Sequence, residues 1–463
     1  MIENKIKHTL DDLRAEFGAR VLTSDDVRNE HARDACHHAP RRPDAVVYPE
    51  ANEEVARVVE ICSRHRMPII PFGTGTGVEG GVVAVGGGVC VDLRHMNKIL
   101  RVSTADMDAT VQAGVSRMQL NAHLDELDSG LFFPVDPGAD ASLGGMSATC
   151  ASGSSAVRYG TMRENVLGLT AVFADGKLVR TGGRARKSSS GYDLTRLLVG
   201  SEGTLGIITE VTLKLAAVPE AISAAVCGFE TIESAVEAVI AILQANVSVA
   251  KIELLDDVQM GAVNRYSGLA YREIPTLFFE FHGTDTSVRE QAERAKEITR
   301  EFDGREFDWA SDRGERDRLW KARYDSYYAS LALRDGAVGY VTDVCVPVSE
   351  LADCIRLTRE ELESTTIPAP VFGHVGDGNF HVVFAIERDN QKELAEVERL
   401  NDRIVSLALE RGGTATGEHG IGIGKLDALE QEHGDAIHVM RAIKEALDPL
   451  GILNPGKVLR SRP

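Results

Sequence analysis

The sequence predicts an α+β protein in which a ligand-binding region is followed by a domain built on an antiparallel sheet. Three segments rich in glycine and other small residues lie between residues 71 and 206, as expected of a chain that contacts a ligand with its backbone. From residue 221 onward, strands alternate with charged amphipathic helices, which favours a separate α+β domain. We therefore predict domains at 1–218 and 219–450, and a segment at 451–463 that returns to the first domain.

The composition is that of a globular protein with an acidic balance. The 463 residues are 43% hydrophobic, and 51 basic residues against 70 acidic ones give a formal net charge of −19. This charge repels nucleic acid and anionic lipid, and it argues against both as partners. An anionic small substrate would therefore have to meet local positive charge.

The N-terminal sequence favours a helix over an export signal. Ile6, Leu10, Leu13 and Phe17 mark one face of a helix that ends at Gly18. No stretch approaches the ~18 uncharged apolar residues of a membrane-spanning helix. Seven scattered cysteines without a C-x-x-C spacing predict reduced thiols and argue against an iron–sulfur cluster on this chain. We expect a cytoplasmic protein without a transmembrane segment, with peripheral membrane association left open.

A β–α–β unit precedes the first glycine-rich segment. Residues 45–48 and 68–71 are predicted strands, and the helix between them has Asn52 as its predicted N-cap. The segment PFGTGTGVEGG (71–81) contains five glycines, which let several N–H groups point into one concavity suited to a phosphate. A purely structural turn is the alternative. The glycines also match G-x-G-x-x-G, but residues 81–88 favour a broken strand rather than the helix of a Rossmann site, so we exclude NAD here.

Two further segments of small residues belong to the same predicted site. Residues 134–160 are dominated by Gly, Ala, Ser and Thr, and small side chains there would let a large flat ligand lie against the chain. The third segment, 199–206, leads into an alternating strand. Between them, Asp175-Gly176 predicts the turn of a β-hairpin.

The second domain contains predicted strands and helices of ordinary length. They alternate along the chain, as expected when helices cover an antiparallel sheet. The strands are 224–229, 276–283 and 338–347, and the helices are 233–244, 287–301, 348–361 and 391–410.

A hairpin in the second domain carries two histidines. Asp377-Gly378 between apolar flanks predicts a two-residue turn, which would place His374 directly opposite His381 with Cβ atoms ~5 Å apart. Two imidazoles at that distance can bind one divalent metal, and Glu418, in a later glycine-rich segment, could complete a His₂Glu set with open positions. Open positions indicate a catalytic metal. A structural histidine pair, hydrogen-bonded across the hairpin, is the alternative.

Arg323 lies among aromatic residues at helical spacing in LWKARYDSYY (319–328). In an acidic chain such an arginine is a candidate for forked recognition of a carboxylate. An ordinary solvated arginine is the alternative.

Long motifs are spread over nearly the whole chain. They are PFGTGTGVEGG (71–81), FPVDPGADASLGGMSATCASG (133–153), VRYGTMRENVLGL (157–169), RKSSSGYDLTRLLVGSEGTLGIIT (186–209), LWKAR (319–323), TDVCVP (342–347), GHVGDGNFH (373–381), GGTATGEHGIGIGK (412–425) and ILNPGKV (452–458). With these motifs the chain resembles the FAD-dependent D-2-hydroxy-acid dehydrogenases of the vanillyl-alcohol-oxidase flavoprotein class, and most closely the cytochrome-type D-lactate dehydrogenases. The resemblance implies a two-subdomain FAD-binding domain of the PCMH type at 1–218 and a substrate domain with the metal site at 219–450.

The resemblance implies FAD as the cofactor. We expect it to be bound non-covalently because residues 71–81 contain no His or Cys, and Cys150 is most simply a buried packing thiol. The implied FAD-binding residues are Pro71, Gly73, Thr74, Gly75, Thr76, Gly77, Gly80, Pro137, Gly138, Ser142, Gly144, Gly145, Ala148, Thr149, Ser152, Gly153, Tyr159, Gly160, Glu202, Gly203, Gly206, Ile207, Ile208 and Asn454.

The resemblance also implies the reacting groups. His374, His381 and Glu418 match the family's metal ligands, for zinc or manganese, while His419 matches its active-site base and Arg323 its substrate-carboxylate arginine. The threonine and aspartate of TDVCVP depart from the lysine-bearing version in the 2-hydroxyglutarate enzymes, which favours a substrate with one carboxylate, such as lactate.

The implied reaction is oxidation of a D-2-hydroxy acid, most simply D-lactate to pyruvate, by hydride transfer to flavin N5. The electrons would pass to a cytochrome, a quinone or an electron-transfer flavoprotein. Four alternatives stay open: a glycolate oxidase flavin subunit, a D-2-hydroxyglutarate-type dehydrogenase, a metallohydrolase that uses the same His₂Glu set, and a non-enzymatic binding module.

Overall fold

The computed structural model describes residues 2–461 and divides into two compact units. The first unit contains residues 2–152, 160–218 and 418–461, and the second contains residues 153–159 and 219–417. Among the described helices, none is long and apolar enough to cross a membrane.

Helices and strands follow one another along the whole described chain. The helices are α1 (Ile2–Phe17), α2 (Asp25–Glu30), α3 (Asn52–Arg64), α4 (Arg117–Glu126), α5 (Leu143–Thr149), α6 (Ala156–Tyr159), α7 (Met162–Asn165), α8 (Leu194–Leu198), α9 (Ile232–Gln244), α10 (Asp257–Ser267), α11 (Asp285–Glu301), α12 (Arg313–Tyr324), α13 (Ser326–Leu331), α14 (Leu351–Leu362), α15 (Gln391–Glu410), α16 (Leu426–His433) and α17 (Ala436–Leu447). The strands are β1 (Val21–Leu22), β2 (Ala45–Val47), β3 (Ile69–Phe72), β4 (Val89–Asp92), β5 (Ile99–Ser103), β6 (Asp108–Gln112), β7 (Leu131–Phe132), β8 (Val166–Val172), β9 (Leu178–Gly182), β10 (Ile207–Lys214), β11 (Ala216–Ala217), β12 (Ala221–Gly228), β13 (Val249–Leu255), β14 (Thr276–Gly283), β15 (Arg305–Ala310), β16 (Val338–Val341), β17 (Val344–Cys345), β18 (Val371–Gly373) and β19 (Asn379–Ile386).

The first sheet of the first unit contains the predicted β–α–β connection. Its order is β1-β2-β4-β3, with β2 and β3 each parallel to the central β4. Helix α3 buries Val55, Val58 and Val59 on one apolar face, at the spacing expected of an amphipathic helix. The predicted N-cap is wrong by one residue, since Ala51 is the N-cap and the Asn52 side chain instead donates a hydrogen bond to Glu210 at 2.7 Å.

The segment after the first glycines is irregular. No helix lies between β3 and β4, as the sequence predicts, but the expected broken strand at 81–88 is wrong: these residues form turns with one isolated bridge between Val85 and Gly87. Asp92, which a Rossmann interpretation would assign to a ribose, is fully buried and its carboxylate lies 2.8 Å from Nε2 of His31. The absence of that helix and the pairing of Asp92 both agree with excluding a Rossmann NAD site.

The first unit also contains a five-stranded antiparallel sheet and a short two-stranded sheet of β7 and β11. The five-stranded sheet carries a predicted hairpin. Its order is β5-β6-β10-β8-β9, and the predicted hairpin around Asp175-Gly176 is its β8–β9 edge. The chain re-enters this unit at residue 418, earlier than the predicted segment at 451–463. The returning chain reaches β3 of the first sheet, where Ile69 donates to the carbonyl of Ile452 at 2.8 Å and accepts from the N–H of Asn454 at 2.8 Å.

The second unit is built on one antiparallel sheet. Its strand order is β15-β12-β14-β13-β18-β19-β16, with β17 also paired to β19. The strands predicted at 224–229 and 276–283 correspond to β12 and β14, whereas the stretch at 338–347 is divided into β16 and β17. The central strands are largely apolar on both faces; the charged exceptions in β13 and β14 are Lys251, Glu253 and Glu280.

Candidate active site

The three glycine-rich segments of the first unit meet around one cavity. Residues from the returning chain, Glu418, His419 and Asn454, also line it. The residues in its lining that the sequence predicts to bind FAD are Pro71, Gly73, Thr74, Gly75, Thr76, Gly77, Pro137, Ser142, Gly144, Gly145, Ala148, Thr149, Ser152, Glu202, Gly203, Gly206, Ile208 and Asn454.

The other predicted FAD-binding residues lie elsewhere. Gly80, Gly138, Gly160 and Ile207 belong to the first unit but do not line the cavity, and Gly153 and Tyr159 belong to the second unit. The hydroxyl of Tyr159 contacts Nδ1 of His282 at 2.7 Å. Within its own unit, Tyr159 is therefore part of a polar network.

The first two glycine segments approach each other closely at Gly73. A Cβ added there would overlap the hydroxyl oxygen of Ser142, so only glycine fits without displacement of that side chain. Ser142 is also the N-cap of α5, and its hydroxyl accepts from the N–H of Gly145 at 3.4 Å. The small residues at this point bring two backbone segments together at the edge of the cavity.

Asn454 joins the first and third glycine segments. Its side-chain amide donates to the carbonyl of Gly81 at 3.0 Å and to the carbonyl of Glu202 at 2.7 Å. Its Oδ1 is buried and has no hydrogen-bond partner among the described residues. A buried acceptor without a partner, in the lining of a cavity, is an expected contact for a donor on a ligand.

Glu202 holds the loop that follows His419. Its two carboxylate oxygens accept hydrogen bonds from the backbone N–H groups of Ile421 and Gly422, at 2.7 and 2.8 Å. Burial raises the pKa of Glu202, and these two bonds oppose that rise. On the other side of the loop, the carbonyl of Glu79 accepts from the N–H of Ile423 at 2.9 Å. The conformation of the loop is therefore set by residues far away in the sequence.

His419 lies between two carboxylates. Its Nδ1 is 4.0 Å from Oε1 of Glu79, and its Nε2 is 3.7 Å from Oε1 of Glu418. Lys425 lies 3.3 Å from the same oxygen of Glu79. The imidazole thus has an acid on each side, which is a suitable environment for a group that takes up a proton.

Asp34 is a buried acid in the lining that sequence reasoning missed. It is 6% exposed, and burial raises the pKa of its carboxyl. It adjoins the first glycine segment, since the N–H of Ala35 donates to the carbonyl of Gly77 at 2.8 Å. Nothing in the surrounding sequence distinguishes Asp34 from an ordinary surface aspartate.

The histidine hairpin of the second unit differs in register from the prediction. His381 lies opposite Phe372 rather than His374, because the turn contains four residues and not two. In this longer turn the carbonyl of Gly378 accepts from the N–H of Val346 at 3.0 Å, which ties the turn to the segment after β17. A shift of two residues keeps side chains on the same face, so the two imidazoles are diagonal neighbours with ring centroids 5.5 Å apart.

Both histidines use Nδ1 to contact an oxygen of the protein. Nδ1 of His374 lies 2.6 Å from Oε1 of Glu253, and Nδ1 of His381 lies 3.0 Å from the carbonyl of Thr342. When Nδ1 carries the proton, Nε2 keeps the lone pair that a metal ion takes. With protons on both Nδ1 atoms, the two imidazoles would keep their Nε2 lone pairs as possible ligands, with ring centroids 5.5 Å apart.

Arg323, on α12 of the same unit, contacts the same glutamate. Its Nε donates to Oε2 of Glu253 at 2.6 Å, and its guanidinium carbon lies 5.2 Å above the ring of Phe372. The two terminal nitrogens make no hydrogen bond to the described residues. Burial alone would raise the pKa of Glu253, but the charges of His374 and Arg323 lower it overall.

Glu253 is therefore a central residue that sequence reasoning missed. A lone acid between apolar residues of β13 is the signal that could have indicated it, because charged side chains are rarely buried without partners. Its partners come from α12 and from the loop after β18, and their proximity is not visible in the sequence.

Comparison with known proteins identifies the family. Residues 218–458 match the family described as FAD linked oxidases, C-terminal domain, and residues 43–182 match the FAD binding domain family. This chain is an FAD-linked oxidase. A probable mitochondrial D-lactate dehydrogenase of Danio rerio is 53% identical over 94% of this oxidase and 88% of the relative. A mitochondrial D-lactate dehydrogenase (cytochrome) of Arabidopsis thaliana is 42% identical over 98% of the oxidase and 80% of the relative.

The fold of the oxidase is also known from solved structures. The crystal structure of p-cresol methylhydroxylase with substrate bound superposes with a TM-score of 0.82 at 18% identity, covering 99% of the oxidase and 98% of that chain. The predicted α+β class is confirmed: an FAD-binding domain with the vanillyl-alcohol-oxidase and PCMH type of fold is followed by a C-terminal domain with an antiparallel sheet.

Proposed function

We propose that this FAD-linked oxidase is a D-lactate dehydrogenase that converts D-lactate to pyruvate and delivers the electrons to an acceptor other than NAD. The observation that carries the proposal is the arrangement in the second unit. The Glu253 carboxylate anchors Arg323 and His374, and the carbonyl of Thr342 anchors His381. The terminal nitrogens of Arg323 make no hydrogen bond to the described residues. This arrangement provides a guanidinium that can bind a carboxylate with two hydrogen bonds, next to two imidazoles that can act as metal ligands.

The lining of the cavity suits FAD. Glycine and small residues dominate it, so backbone N–H groups are the donors that would meet the pyrophosphate, and the buried Oδ1 of Asn454 is an acceptor for a flavin or ribityl donor. The chemistry that FAD supplies when bound is acceptance of the Cα hydride at N5. We propose that all the predicted FAD-binding residues contribute to the FAD site. We also propose that the cofactor is held without a covalent bond.

We further propose one divalent metal, zinc or manganese, with His374, His381 and Glu418 as ligands. Support from the geometry comes from the two histidines, whose Nδ1 atoms contact protein oxygens. The chemistry that the metal supplies when bound is a lower pKa of the substrate's α-hydroxyl. Glu418 is included among the proposed metal ligands because of the sequence resemblance.

The residues of the chain then divide the remaining tasks. His419 accepts the hydroxyl proton, with Glu79 at 4.0 Å from its Nδ1 as the nearest acid on that side. Arg323 binds the substrate carboxylate with its terminal nitrogens, since its Nε is engaged by Glu253. Removal of the hydroxyl proton and of the Cα hydride together yields pyruvate, so atoms and electrons balance.

The environment of Thr342 and Asp343 favours a substrate with one carboxylate. The carbonyl of Thr342 accepts from His381. The carboxylate of Asp343 accepts from Asn379 and from Thr416, at 2.7 Å in both cases. These two residues support the histidine hairpin and provide no cation for a second carboxylate. We therefore prefer lactate to 2-hydroxyglutarate.

The physiological acceptor and the compartment belong to this proposal as well. We propose a cytochrome, a quinone or an electron-transfer flavoprotein as the acceptor, and a cytoplasmic location with peripheral membrane association as an option. The relatives from Danio rerio and Arabidopsis thaliana are described as mitochondrial.

Anaerobic titration of the purified, yellow protein with a panel of 2-hydroxy acids tests the proposal. D-lactate should bleach the flavin absorbance at a rate that a stopped-flow instrument can follow, and L-lactate should not. Glycolate that reduces the flavin faster than D-lactate would favour a glycolate oxidase subunit, and faster reduction by D-2-hydroxyglutarate would favour that class. Reoxidation of the reduced flavin by a dye acceptor but not by NAD is expected. A colourless protein with hydrolase activity would overturn the proposal.

A further inference from the structure

Glu253 connects two groups that the proposed function uses separately. It is fully buried in β13, and each of its carboxylate oxygens has a different partner. Oε1 lies 2.6 Å from Nδ1 of His374, and Oε2 lies 2.6 Å from Nε of Arg323. One side chain therefore contacts both the imidazole predicted to bind the metal and the guanidinium predicted to bind the substrate carboxylate.

The sheet explains why these contacts form. Strand β13 pairs antiparallel with β18 so that Leu254 lies opposite Gly373. The next pair in this register is Glu253 with His374, at the point where β18 ends and the histidine turn begins. Helix α12 brings Arg323 to the other oxygen. The contact depends on three elements that are distant in the sequence.

The two contacts have definite chemical consequences. A carboxylate at Nδ1 keeps the proton on that nitrogen and directs the lone pair to Nε2, which is the tautomer a metal ligand needs. A carboxylate at Nε fixes the plane of the guanidinium while it leaves the two terminal nitrogens for a bidentate contact. Charge-assisted hydrogen bonds of this length are also stronger than hydrogen bonds between neutral groups, so they hold a side chain in a fixed orientation.

We propose that Glu253 is a positioning residue that orients the metal-binding histidine and the carboxylate-binding arginine at the same time. The proposal rests on the proposed function, in that it assumes a metal at His374 and a carboxylate at Arg323. It adds that the two sites depend on one shared anchor, so that a single change at residue 253 weakens both.

Glu253→Gln is the first test, because glutamine keeps the size of the side chain and removes its charge. A metal-loaded sample is titrated with a chromophoric chelator, without any 2-hydroxy acid present, and KM and kcat are measured for the acid that bleaches the wild-type flavin fastest. We expect the metal affinity to fall about 10–100-fold, as for other carboxylates that support a metal-binding histidine. We expect KM to rise in the same variant.

Glu280→Gln is the matched control. Glu280 lies on the neighbouring strand β14, is also largely buried, and also contacts a histidine and a cation: Nε2 of His282 at 2.8 Å and Nζ of Lys251 at 3.1 Å. The control removes a buried charge from the same sheet without touching His374 or Arg323. Its metal affinity should equal that of the wild type.

Glu253→Asp covers the case in which the glutamine variant does not fold. Aspartate keeps the charge but is one methylene shorter, so it reaches one partner and not both. Either the metal affinity should fall or KM should rise in this variant, while FAD absorbance and the melting temperature report an intact fold. A purely structural Glu253 would lower the melting temperature and leave both quantities unchanged in the folded protein, which would overturn the proposal. Equal losses of metal affinity in the Glu253 and Glu280 variants would also overturn it.

The outcomes separate this inference from the proposed function. The chelator titration needs no substrate, so it tests the His374 contact even if D-lactate proves not to be the substrate. Wild-type protein that binds no metal would overturn both the metal proposal and this inference, whereas the identity of the best substrate is decided by the flavin titration alone.

Discussion

Oε1 of Glu202 and the backbone nitrogen of Ile421 lie 2.7 Å apart, although 219 positions separate the two residues in the sequence. The second carboxylate oxygen accepts from Gly422 at 2.8 Å. The third glycine segment thus anchors the loop that begins with the predicted catalytic base. Placement of His419 is therefore a property of the tertiary structure of the first unit.

Glu202→Gln should loosen this loop. Glutamine offers one acceptor oxygen and points an NH₂ group at a backbone N–H, so one of the two loop bonds is lost at a cost of ~1–3 kcal/mol. We expect faster amide hydrogen exchange at Ile421 and Gly422, and a lower kcat. Glu210→Gln, on β10, is the control, because Glu210 contacts Asn52 and Thr170 instead of this loop. Unchanged exchange at Ile421 would contradict the assigned role.

His419→Gln should lower kcat and kcat/KM together. The imidazole acts on the proton only as the hydroxyl ionises, and loss of a general base typically costs ~10²–10⁴ in rate. FAD content should stay at the wild-type level. Rate should return as the pH rises, because hydroxide then replaces the missing base. A variant with unchanged kcat would show that His419 is not the base.

Arg323→Lys should act mainly on KM. Lysine keeps the charge but loses the planar fork, so it cannot donate to Glu253 and to both oxygens of a substrate carboxylate. The loss of about one charge-assisted hydrogen bond, ~1.5 kcal/mol, corresponds to a KM about tenfold higher. Arg318→Lys is the control, since Arg318 is an exposed residue of the same helix. High pH should not rescue the Arg323 variant, which distinguishes it from His419→Gln.

FAD should be released when the protein is precipitated with acid. Cys36 follows Ala35, whose N–H donates to the carbonyl of Gly77 in the first glycine segment. Burial raises the pKa of the Cys36 thiol to about 12, so this thiol is a poor nucleophile at neutral pH. Cys150 packs against the core of the first unit. Absorbance of flavin in the supernatant is the measurement. A yellow pellet that becomes colourless in a Cys36→Ser variant would show a covalent link.

Asp256→Asn should change the pH dependence of stability. Burial raises the pKa of Asp256, the N-cap of α10, to about 7, so the folded state holds a proton that the unfolded state releases at lower pH. The stability from this group is therefore present at acidic pH and is lost as the pH rises from about 4 to about 7. Asparagine caps equally well and does not titrate.

The unfolding free energies of wild type and Asp256→Asn should consequently be close at pH 4. At pH 8 the variant should be more stable, by up to ~4 kcal/mol for a shift of this size. Urea denaturation at both pH values measures the difference, and Asp312→Asn, at the exposed N-cap of α12, serves as the control. A variant less stable than the wild type at pH 8 would contradict the prediction.

Local features of the chain were predictable because their causes are local. The apolar face of α3 follows from helical spacing, and the bounds of β14 and α15 match the predicted 276–283 and 391–410. The glycine-rich segments predicted a cavity lined by backbone, because glycine at this density lets a ligand approach the peptide groups. The motifs indicated the protein family, because long identical stretches of residues rarely recur by chance.

The turn of the histidine hairpin shows where local reasoning stops. Asp377-Gly378 favours a two-residue turn in isolation, yet in the structure the turn has four residues, the register moves by two, and the carbonyl of Gly378 accepts from the N–H of Val346. The pairing of His374 with His381 survives only because strand side chains repeat every two residues. Asn52 follows the same rule, since a hydrogen bond to Glu210 outweighs its preference for the N-cap.

By itself, then, the sequence determined most of the strands and helices and the three glycine segments that line the cavity, and it predicted the side chains that would carry the chemistry. Only the tertiary structure decided what holds those side chains in place. The resemblance assigned Glu202 to FAD binding and the sequence did not single out Glu253; their contacts form only when the fold brings Ile421 to the one and both His374 and Arg323 to the other. The physical reason is that burial favours the neutral form of a carboxyl group unless donors or cations stabilise its charge, and here those groups come from parts of the chain that folding alone brings together.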